Sequence, residues 1–485
     1  MSAPELQGRS LFRYLWRQLT SMRNALILLL LLGLASIPGS LFPQRTQSPL
    51  KVREYFQNDP EGAKWLDRFY LFDVYGSPWF SAIYILLFIS LIGCVVPRTW
   101  HYAREALSKP APAPNSLTQL EAYREIDGDL ESTERWLKKN KYRITKDESE
   151  ISAEKGYLRE TGNLIFHLAL IVILLGVGAS SVFGMRGEAI VTVGERFINV
   201  PTSYDNLAPG RFFDVANMPA FAISVANFEA RYDPETRQPL DYKLTALVAN
   251  STKEKPTEKI VRVNQPLTFG DSRVYLQANG FSPLVTVRDK NGEVKFEGPV
   301  PFLPQDANLT SIGAIKVPDM KPQIGFVASF FPTAARDEVR GGFSSYPALL
   351  DPRLLVSVWE GDLKMDSGIP QSVYRIDTSE MNRIGLWGLS IGESYSFGSP
   401  DPVGTITFNG VVPWVNLQVV KDPGKPWALL GSIVAISALM ASLFIRQRRI
   451  YVKSKGGRLE VAGLALNRLP GLEEEIGRLV KEAGR

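Results

Sequence analysis

His167 is the residue whose type and setting point most directly to chemistry. It belongs to the stretch TGNLIFHLAL, residues 161 to 170, and is one of two histidines among 485 residues. Leu164 begins a long apolar run, and an ionisable group inside such a run is costly unless it is paired, which makes a functional role the first hypothesis. The alternative is structural, because the ring could reach a membrane interface or bind a neighbouring helix by hydrogen bonding. Position alone supports the two hypotheses equally.

Two kinds of function can use a histidine in an apolar helix. A proton relay needs a chain of ionisable groups, but besides His167 the apolar runs contain only Cys94 and tyrosine. Haem ligation fits better, because neutral imidazole is a good axial donor to iron and an apolar helical wall suits a porphyrin face. The membrane runs offer one such ligand, so a bis-imidazole site would need a second histidine from a partner.

The other candidate residues have simpler explanations. His101, in RTWHYAR beside Trp100 and Tyr102, is typical of an interfacial residue. Cys94, the single cysteine, is typical of a small apolar core residue. The sequence contains no C-x-x-C-H, C-x-x-C, Walker A, H-E-x-x-H or G-x-S-x-G motif. With so few histidines and cysteines a protein-only zinc or copper site is implausible, and no catalytic residue is assigned.

Four long apolar runs must position these side chains. Each has 18 to 20 residues without a charged side chain, and at about 1.5 Å per residue such a helix spans a hydrocarbon core of roughly 30 Å. We predict transmembrane helices over residues 25–42, 79–96, 164–183 and 427–445. Basic residues resist translocation, and they flank both chain ends and the segment between the second and third runs: Arg13, Arg17, Arg23, Arg98, Arg104, Arg159, Arg446 and Arg449. The pattern predicts a multi-pass protein of the cytoplasmic membrane with both termini inside, anchored in the lipid bilayer.

The same pattern divides the rest of the chain. Residues 1–24 form a cytoplasmic N-terminus in which SLFRYLWRQL predicts an interfacial helix, and residues 43–78 form an external loop. Residues 97–163 are a cytoplasmic loop with a small α/β module, and residues 446–485 are a cytoplasmic tail that ends in a helix. The first apolar run is longer than the core of a secretory signal and lacks a clear A-x-A site, so we expect it to be retained.

Residues 184–426 are predicted to form a large extracytoplasmic β-rich domain, either an antiparallel sandwich or an open barrel. Segments such as EAIVTVG, YKLTALVAN and SRVYLQANG carry β-branched and aromatic residues with partial alternation, and turn residues separate them. Asp289 to Gly292 are predicted to form a hairpin turn in which Gly292 takes a positive φ. The domain carries 24 Lys and Arg against 27 Asp and Glu, a balance that argues against nucleic acid as a partner.

Several blocks of the chain resemble one known membrane family. They run in the family's order from about residue 9 to about residue 465, and they read LWRQLTSMRNALILLLLLGLASIPGSLFPQ, FYLFDVYGSPWFSAIYILLFISLIGCVVPR, EKGYLRETGNLIFHLAL, VNQPLTFGDSRVYLQANGFSPLVTVRD and VPWVNLQVVKDPGKPWALLGS. Together these blocks are similar to the ResB (CcsB) family, one half of the System II cytochrome c biogenesis machinery. The resemblance is specific as a set, whereas each block alone is weak.

The resemblance implies a subunit that works with a ResC/CcsA-type membrane partner. Together they would pass haem (haem b) from the inner to the outer face and attach it to the C-x-x-C-H motif of an exported apocytochrome c. This chain would then be a non-catalytic or co-catalytic subunit of a haem lyase. His167 matches the family's third-span histidine, which is regarded as an axial ligand of haem iron. The family's Trp-rich haem-presenting loop belongs to the partner, and the nine tryptophans here form no W-W-D cluster.

Two further positions match family blocks without gaining an assigned role. Asp422 lies in KDPG before the fourth run, where a functional carboxylate and a simple turn explain it equally well. Cys94 matches a family tendency for a cysteine in the second span, from which we infer no haem attachment. The alternative from another functional class is a transmembrane scaffold or sensor whose β-domain binds an envelope protein and whose His167 is structural. A solute transporter is disfavoured, because four spans show no inverted repeat or broken charged helix.

Overall fold

The computed structural model describes residues 8–45, 47–107, 109–251, 254–338, 341–365, 372–398, 401–465 and 471–483. The chain forms two compact units, one of Met1–Val177 with Lys425–Arg485 and the other of Gly178–Gly424. The first unit contains most of the apolar helical segments, and the second consists mainly of strands.

In the described residues up to Leu107, the chain forms five helices. The amphipathic α1 (Gly8–Leu19) is followed by α2 (Met22–Leu41), whose N-cap residue Ser21 accepts a hydrogen bond from the Asn24 N–H. Two short helices, α3 (Pro49–Asn58) and α4 (Pro60–Arg68), enclose a small core of Val52, Ala63 and Phe72. The long helix α5 (Pro78–Leu107) completes this part.

A short α/β segment then leads into the helix that carries His167. Its elements are β1 (Ala122–Ile126), α6 (Leu130–Lys139), β2 (Arg143–Lys146), β3 (Glu150–Lys155) and α7 (Leu158–Phe183). The α7 helix begins at Leu158, earlier than the predicted span that begins at Leu164. The extra turns carry Arg159 and Glu160. The helix can include them because charged side chains at a helix end can reach the polar interface while the backbone stays hydrogen-bonded.

The second unit is an antiparallel assembly of eighteen strands within the described part of the chain. They are β4 (Met185–Thr192), β5 (Arg196–Ile198), β6 (Asn206–Pro209), β7 (Ala222–Tyr232), β8 (Pro239–Ala249), β9 (Thr257–Arg262), β10 (Leu267–Phe269), β11 (Ser272–Asp289), β12 (Val294–Pro299), β13 (Leu303–Pro304), β14 (Ser311–Val317), β15 (Ile324–Phe331), β16 (Ala334–Asp337), β17 (Gly341–Ser344), β18 (Arg353–Glu360), β19 (Asn382–Ser390), β20 (Ser394–Phe397) and β21 (Gly404–Lys421).

Two 18-residue strands, β11 and β21, pair along their whole length and organise the second unit. They lie in a seven-stranded sheet of order β10-β11-β21-β4-β6, with β12 on β11 and β20 on β21. One end of this pair packs on the four-stranded sheet β5-β7-β8-β9, around a core that includes Ile223, Leu244, Leu276 and Leu417. The other end packs on the five-stranded sheet β13-β14-β15-β18-β19, around a core that includes Val285, Phe326, Phe330 and Phe408. Two sandwiches therefore share one pair of long strands.

The predicted hairpin turn joins β11 to β12. Gly292 has φ +82°, a conformation that favours glycine because a Cβ would be strained there. The Asp289 carboxylate accepts hydrogen bonds from the backbone N–H groups of Asn291 at 2.9 Å and Glu293 at 3.0 Å. This turn is confirmed.

The chain returns to the first unit through α8 (Lys425–Phe444), β22 (Arg448–Lys455), β23 (Arg458–Ala465) and α9 (Leu472–Ala483). The two C-terminal strands join the sheet begun earlier, in the order β1-β23-β22-β3-β2. Trp136, Leu137, Ile151, Val461 and Ile476 are buried in its core. The small α/β domain is thus assembled from two distant segments. We did not predict β22 and β23 from the sequence.

Among the residues that the structure describes, four helices are long and apolar enough to cross a membrane: Met22–Leu41, Pro78–Tyr102, Leu158–Phe183 and Lys425–Phe444. The predicted fold class, an α-helical membrane protein with four transmembrane helices and a large β-rich domain, is confirmed. Small residues bring α7 and α8 close together, since a Cβ on Gly162 would lie 2.9 Å from the Ala438 carbonyl oxygen.

Candidate functional site

Three membrane helices of the first unit, α2, α5 and α7, line a cavity of about 680 Å³. This volume lies within the range of small-molecule and cofactor sites, roughly 300 to 1,000 Å³. Most of its wall is aliphatic, and the apolar lining residues are Met22, Ala25, Leu26, Leu29, Leu32, Leu87, Leu91, Val95, Leu164, Leu170, Ile173 and Leu174. The remaining lining residues are Cys94, Arg98, Tyr102, Glu160, Asn163 and His167.

The helical repeat explains why one face of α7 provides both polar and apolar parts of this wall. Glu160, Asn163, His167, Leu170 and Leu174 follow one another at intervals of three or four residues, so their side chains lie on one side of the helix. The polar residues come first along the helix and the aliphatic ones last. His167 is seven residues from Glu160, which is about 10 Å along the axis.

A face of α5 with the same repeat provides the opposite wall. Cys94, Arg98 and Tyr102 are four residues apart and follow Leu87 and Leu91 on that face. A hydrogen bond joins α5 and α7 farther into the bundle: the Tyr84 hydroxyl donates to the Leu174 carbonyl oxygen at 2.9 Å. The cavity therefore has a polar end at Arg98, Tyr102 and Glu160, and an apolar interior.

The His167 ring is held by its own helix. Its Nδ1 lies 2.7 Å from the Asn163 carbonyl oxygen, and because a carbonyl can only accept, Nδ1 carries the hydrogen. In the neutral ring the lone pair is then on Nε2. Metal-binding histidines commonly have this arrangement, in which one ring nitrogen donates to a backbone carbonyl and the other is a ligand. The Phe166 ring packs edge-on against the imidazole at 5.2 Å between centroids.

Arg98 gives the polar end of the cavity a positive charge. Its guanidinium Nη1 lies 3.2 Å from the Met22 sulfur, and its Cζ lies 5.8 Å from the centre of the Tyr102 ring. Within the described residues Arg98 has no salt bridge to a carboxylate. Arg98 and Glu160 are the two charged residues in the described lining, and both lie at this end.

The structure brings together two of the predicted site residues. His167 and Cys94 line the same cavity from α7 and α5. Asp422 is not among the lining residues, and its carboxylate accepts a hydrogen bond from the Ser180 hydroxyl within the second unit. His101 is exposed, and its ring lies edge-on to Tyr102. The roles of all four residues stay predictions.

A haem can be tested against the chemistry of these donors. Among the described residues no three His, Cys, Asp or Glu side chains come together as a metal-binding group. The cavity instead combines one imidazole whose Nε2 lone pair is available, an aliphatic interior and a cation at one end. These features fit a metalloporphyrin, which has a flat apolar body, an iron that accepts axial nitrogen and carboxylates along one edge. They do not fit a bare metal ion, which needs several protein ligands.

Sequence reasoning missed Arg98, Tyr102, Glu160 and Asn163 as parts of this site. Arg98 was used only as a topology signal, and the other three were given no role. The signal that could have found them is the helical spacing from His167 back to Glu160 and from Cys94 forward to Tyr102. The spacing alone does not predict that α5 and α7 face each other across the cavity.

Comparison with known proteins supports the resemblance stated for the sequence blocks. The model of the ResB-like family matches residues 22–477. The chain belongs to the ResB-like family. This family match begins at the first residue of α2 and ends within α9, so it includes all of the cavity and His167.

Relatives of similar length carry the name "Cytochrome c biogenesis protein CcsB". The protein from Synechococcus elongatus is 24% identical over 478 residues, which cover 97% of this chain and 92% of the relative. The protein from Trichormus variabilis is 25% identical over 491 residues, covering 97% and 93%. The protein from Prochlorococcus marinus is 23% identical over 479 residues, covering 96% and 97%. The ResB-like chain is thus similar to these proteins over nearly its full length.

Proposed function

We propose that this ResB-like chain handles haem in a System II cytochrome c synthase complex, where haem is moved across the membrane for attachment to exported apocytochrome c. The observation that carries the proposal is the His167 ring, which lines an apolar cavity with its Nδ1 hydrogen committed to the Asn163 carbonyl. Nε2 is therefore the nitrogen that would hold haem iron. The similarity to relatives named for cytochrome c biogenesis also supports a role in cytochrome c maturation.

The chain would supply one axial ligand and its partner the other. His167 is the one histidine in the cavity lining, and haem iron accepts two axial ligands. A ResC/CcsA-type membrane protein is the partner that would complete the site and present haem b to apocytochrome c. The part played by this chain's own residues is binding and orientation, and Cys94, which lines the cavity, is given no role in haem attachment.

Chain connectivity supports a topology for this process. Strands β3 and β22 are hydrogen-bonded neighbours, so the segments before α7 and after α8 must lie on the same side of the membrane. The segment between those two helices would then lie on the other side. The basic flanks support a cytoplasmic location for the small α/β domain and both termini and an external location for the β-rich unit.

Cysteine labelling tests this topology in a Cys94→Ala background. A membrane-impermeant maleimide added to intact spheroplasts should label Thr236→Cys in the exposed β7–β8 connection, while Lys139→Cys at the exposed end of α6 should need permeabilised membranes. Labelling of Lys139→Cys in intact spheroplasts would contradict the proposed sides.

The two histidines give a matched test of haem handling. The full chain purified in detergent with its membrane partner should show a haem Soret band, and His167→Ala should abolish or strongly shift it. Holocytochrome c yield should fall to background in the same variant. His101→Ala is the control, because this exposed ring does not line the cavity, and it should leave both readouts near wild type. His167→Gly supplied with free imidazole should regain part of the Soret band.

The alternative scaffold predicts a different result. A scaffold or sensor would purify without pigment, and His167→Ala would leave cytochrome c maturation intact. Normal holocytochrome yield and normal bound pigment in His167→Ala cells would overturn the proposal, whatever the family membership.

A further inference from the structure

The charge distribution along the cavity wall indicates how a bound ligand would be oriented, which the position of His167 alone does not. The interior wall is aliphatic, and the described charged lining residues, Arg98 and Glu160, both lie at one end. His167 is about two helical turns farther in. A ligand that fills this space should therefore have an apolar body and a polar edge, with the polar edge at the end that holds Arg98 and Glu160.

The described contacts of Arg98 compensate its positive charge only weakly. Its described contacts are the Met22 thioether sulfur at 3.2 Å and the face of Tyr102 at 5.8 Å. A thioether is a weak hydrogen-bond acceptor, and an aromatic face attracts a cation less strongly than a carboxylate does. A guanidinium presents a planar fork of donors that matches a carboxylate in two-point geometry. The side chain is thus equipped for an anionic partner that these contacts do not provide.

A polar recess adjoins this end of the cavity. It has a volume of about 310 Å³ and shares Tyr102 and Glu160 with the cavity wall. Its lining includes the basic residues Lys109, Arg143 and Arg449 and the acidic residues Glu154 and Glu160. Arg143 and Arg449 form salt bridges to Glu154 at 3.0 and 3.2 Å. The cavity therefore meets a polar recess at the end where Arg98 lies, and a charged group would cost less free energy there than at the aliphatic end.

We propose that Arg98, assisted by the Tyr102 hydroxyl, binds the carboxylates of a porphyrin whose iron is held by His167. The inference rests on the proposed haem-handling function and adds the orientation of the ligand to it. The porphyrin edge that carries carboxylates faces the recess, and the opposite edge faces Leu29, Leu91 and Leu174. Glu160 opposes the same anion, so it limits how tightly this end holds its ligand.

Three ligands separate the contribution of Arg98 from that of His167. Haemin, iron-free protoporphyrin IX and haemin dimethyl ester are titrated into the full chain in detergent, after bound pigment has been removed, and binding is followed by absorbance or fluorescence quenching. Arg98→Gln should weaken haemin and protoporphyrin IX by about tenfold or more, as expected for a lost charge-assisted hydrogen bond. It should change binding of the dimethyl ester by less than about twofold.

His167→Ala should show the opposite selectivity. It should weaken both iron-containing ligands and leave iron-free protoporphyrin IX near wild type, because iron is the group that needs the imidazole. Arg98→Lys should fall between wild type and Arg98→Gln, since a lysine keeps the charge without the planar fork. Glu160→Gln should strengthen haemin binding or leave it unchanged. Arg135→Gln, an exposed arginine of α6, is the charge-matched control.

The outcomes distinguish the inference from the function on which it rests. If wild type binds haemin through His167 but Arg98→Gln binds all three ligands like wild type, the orientation is wrong and haem handling stands. If the wild-type chain binds none of the ligands, the proposed function fails as well. The comparison of haemin with haemin dimethyl ester uses only the wild-type chain. Equal affinity for the two ligands therefore overturns the inference even if Arg98→Gln does not fold.

Discussion

Apolar side chains are closely packed in the β-rich unit, whereas those around the helix-lined cavity leave space between the helices. In the β-rich unit, Phe326 packs edge-to-face on Phe397 and Phe330 on Phe408, and all four rings are fully buried. In the helical unit, three neighbouring helices leave about 680 Å³ unfilled. A water-soluble sandwich depends on close packing, because burial of apolar surface is its main source of free energy. Apolar helices are already stable in lipid, so they can leave space for a ligand at lower cost.

Filling the cavity should give the largest effect on function with little effect on folding. Ala25→Trp places an indole into the cavity from α2 and should weaken haem binding at least about tenfold, because the ligand and the ring compete for the same volume. Haemin titration of the detergent-purified chain measures this effect. Leu30→Trp, at a position of α2 that is 64% exposed, is the control and should bind haem normally. Normal binding by Ala25→Trp would mean that haem lies elsewhere.

A large-to-small change should separate the two regions by its cost in stability. Phe326→Ala should destabilise the β-rich unit by about 3 to 5 kcal/mol, the usual cost of emptying a packed core. Leu170→Ala in the cavity wall should cost clearly less, because it only enlarges a space that is already present. Limited proteolysis and thermal unfolding of the full chain in detergent provide the comparison. Equal losses for the two variants would show that the cavity wall is packed as tightly as the sandwich.

The small α/β domain contains a buried charge that should make part of the helical unit sensitive to acid. Burial raises the pKa of the Glu154 carboxyl, but hydrogen bonds from Gln447 and Arg143 and the charge of Arg449 lower it by more, so the pKa is below its ordinary value of 4.5. A carboxyl with a depressed folded-state pKa stabilises fully above its unfolded pKa, and this contribution is lost as the pH falls through the folded value.

Glu154→Gln should therefore destabilise the small domain at pH 7 by about 1.5 to 3 kcal/mol and flatten its pH dependence below pH 4.5. Hydrogen exchange of β3 and β22, measured at several pH values and corrected for intrinsic rates, follows the local stability. Glu131→Gln on the exposed first turn of α6 is the control. An unchanged acid transition in Glu154→Gln would assign the acid sensitivity to another group.

The smallest effect should come from the hydrogen bond between α5 and α7. Tyr84→Phe removes the donor to the Leu174 carbonyl oxygen and should cost about 0.6 kcal/mol, the average for interhelical hydrogen bonds in membranes. Haem binding should stay within about twofold, which is a change of less than 0.5 kcal/mol. Denaturation in mixed micelles detects the change. A loss larger than that of Phe326→Ala would contradict the contrast between packed sandwich and tolerant helices.

Local patterns predicted much of the architecture. The four apolar runs predicted the helices, but α7 begins six residues before the predicted span and α5 continues eleven residues past its own, because charged end turns extend the helices beyond the apolar core. The turn at Gly292 was predicted because few residues tolerate its backbone conformation. Strands β22 and β23 were missed, since their alternating residues lie in a basic tail whose pairing partner, β3, is almost three hundred residues away.

The sequence by itself determined the four membrane helices and singled out His167, because hydrophobicity and an ionisable group in an apolar run are local properties of the chain. Only the tertiary structure decided which faces of α2, α5 and α7 meet. That packing brings Arg98, Cys94 and His167 to one cavity. Asp422 is not among the lining residues, and its carboxylate accepts a hydrogen bond from Ser180. The reason is physical: helical spacing fixes which residues share a face, but the choice of facing helix depends on side-chain fit across segments far apart in the chain.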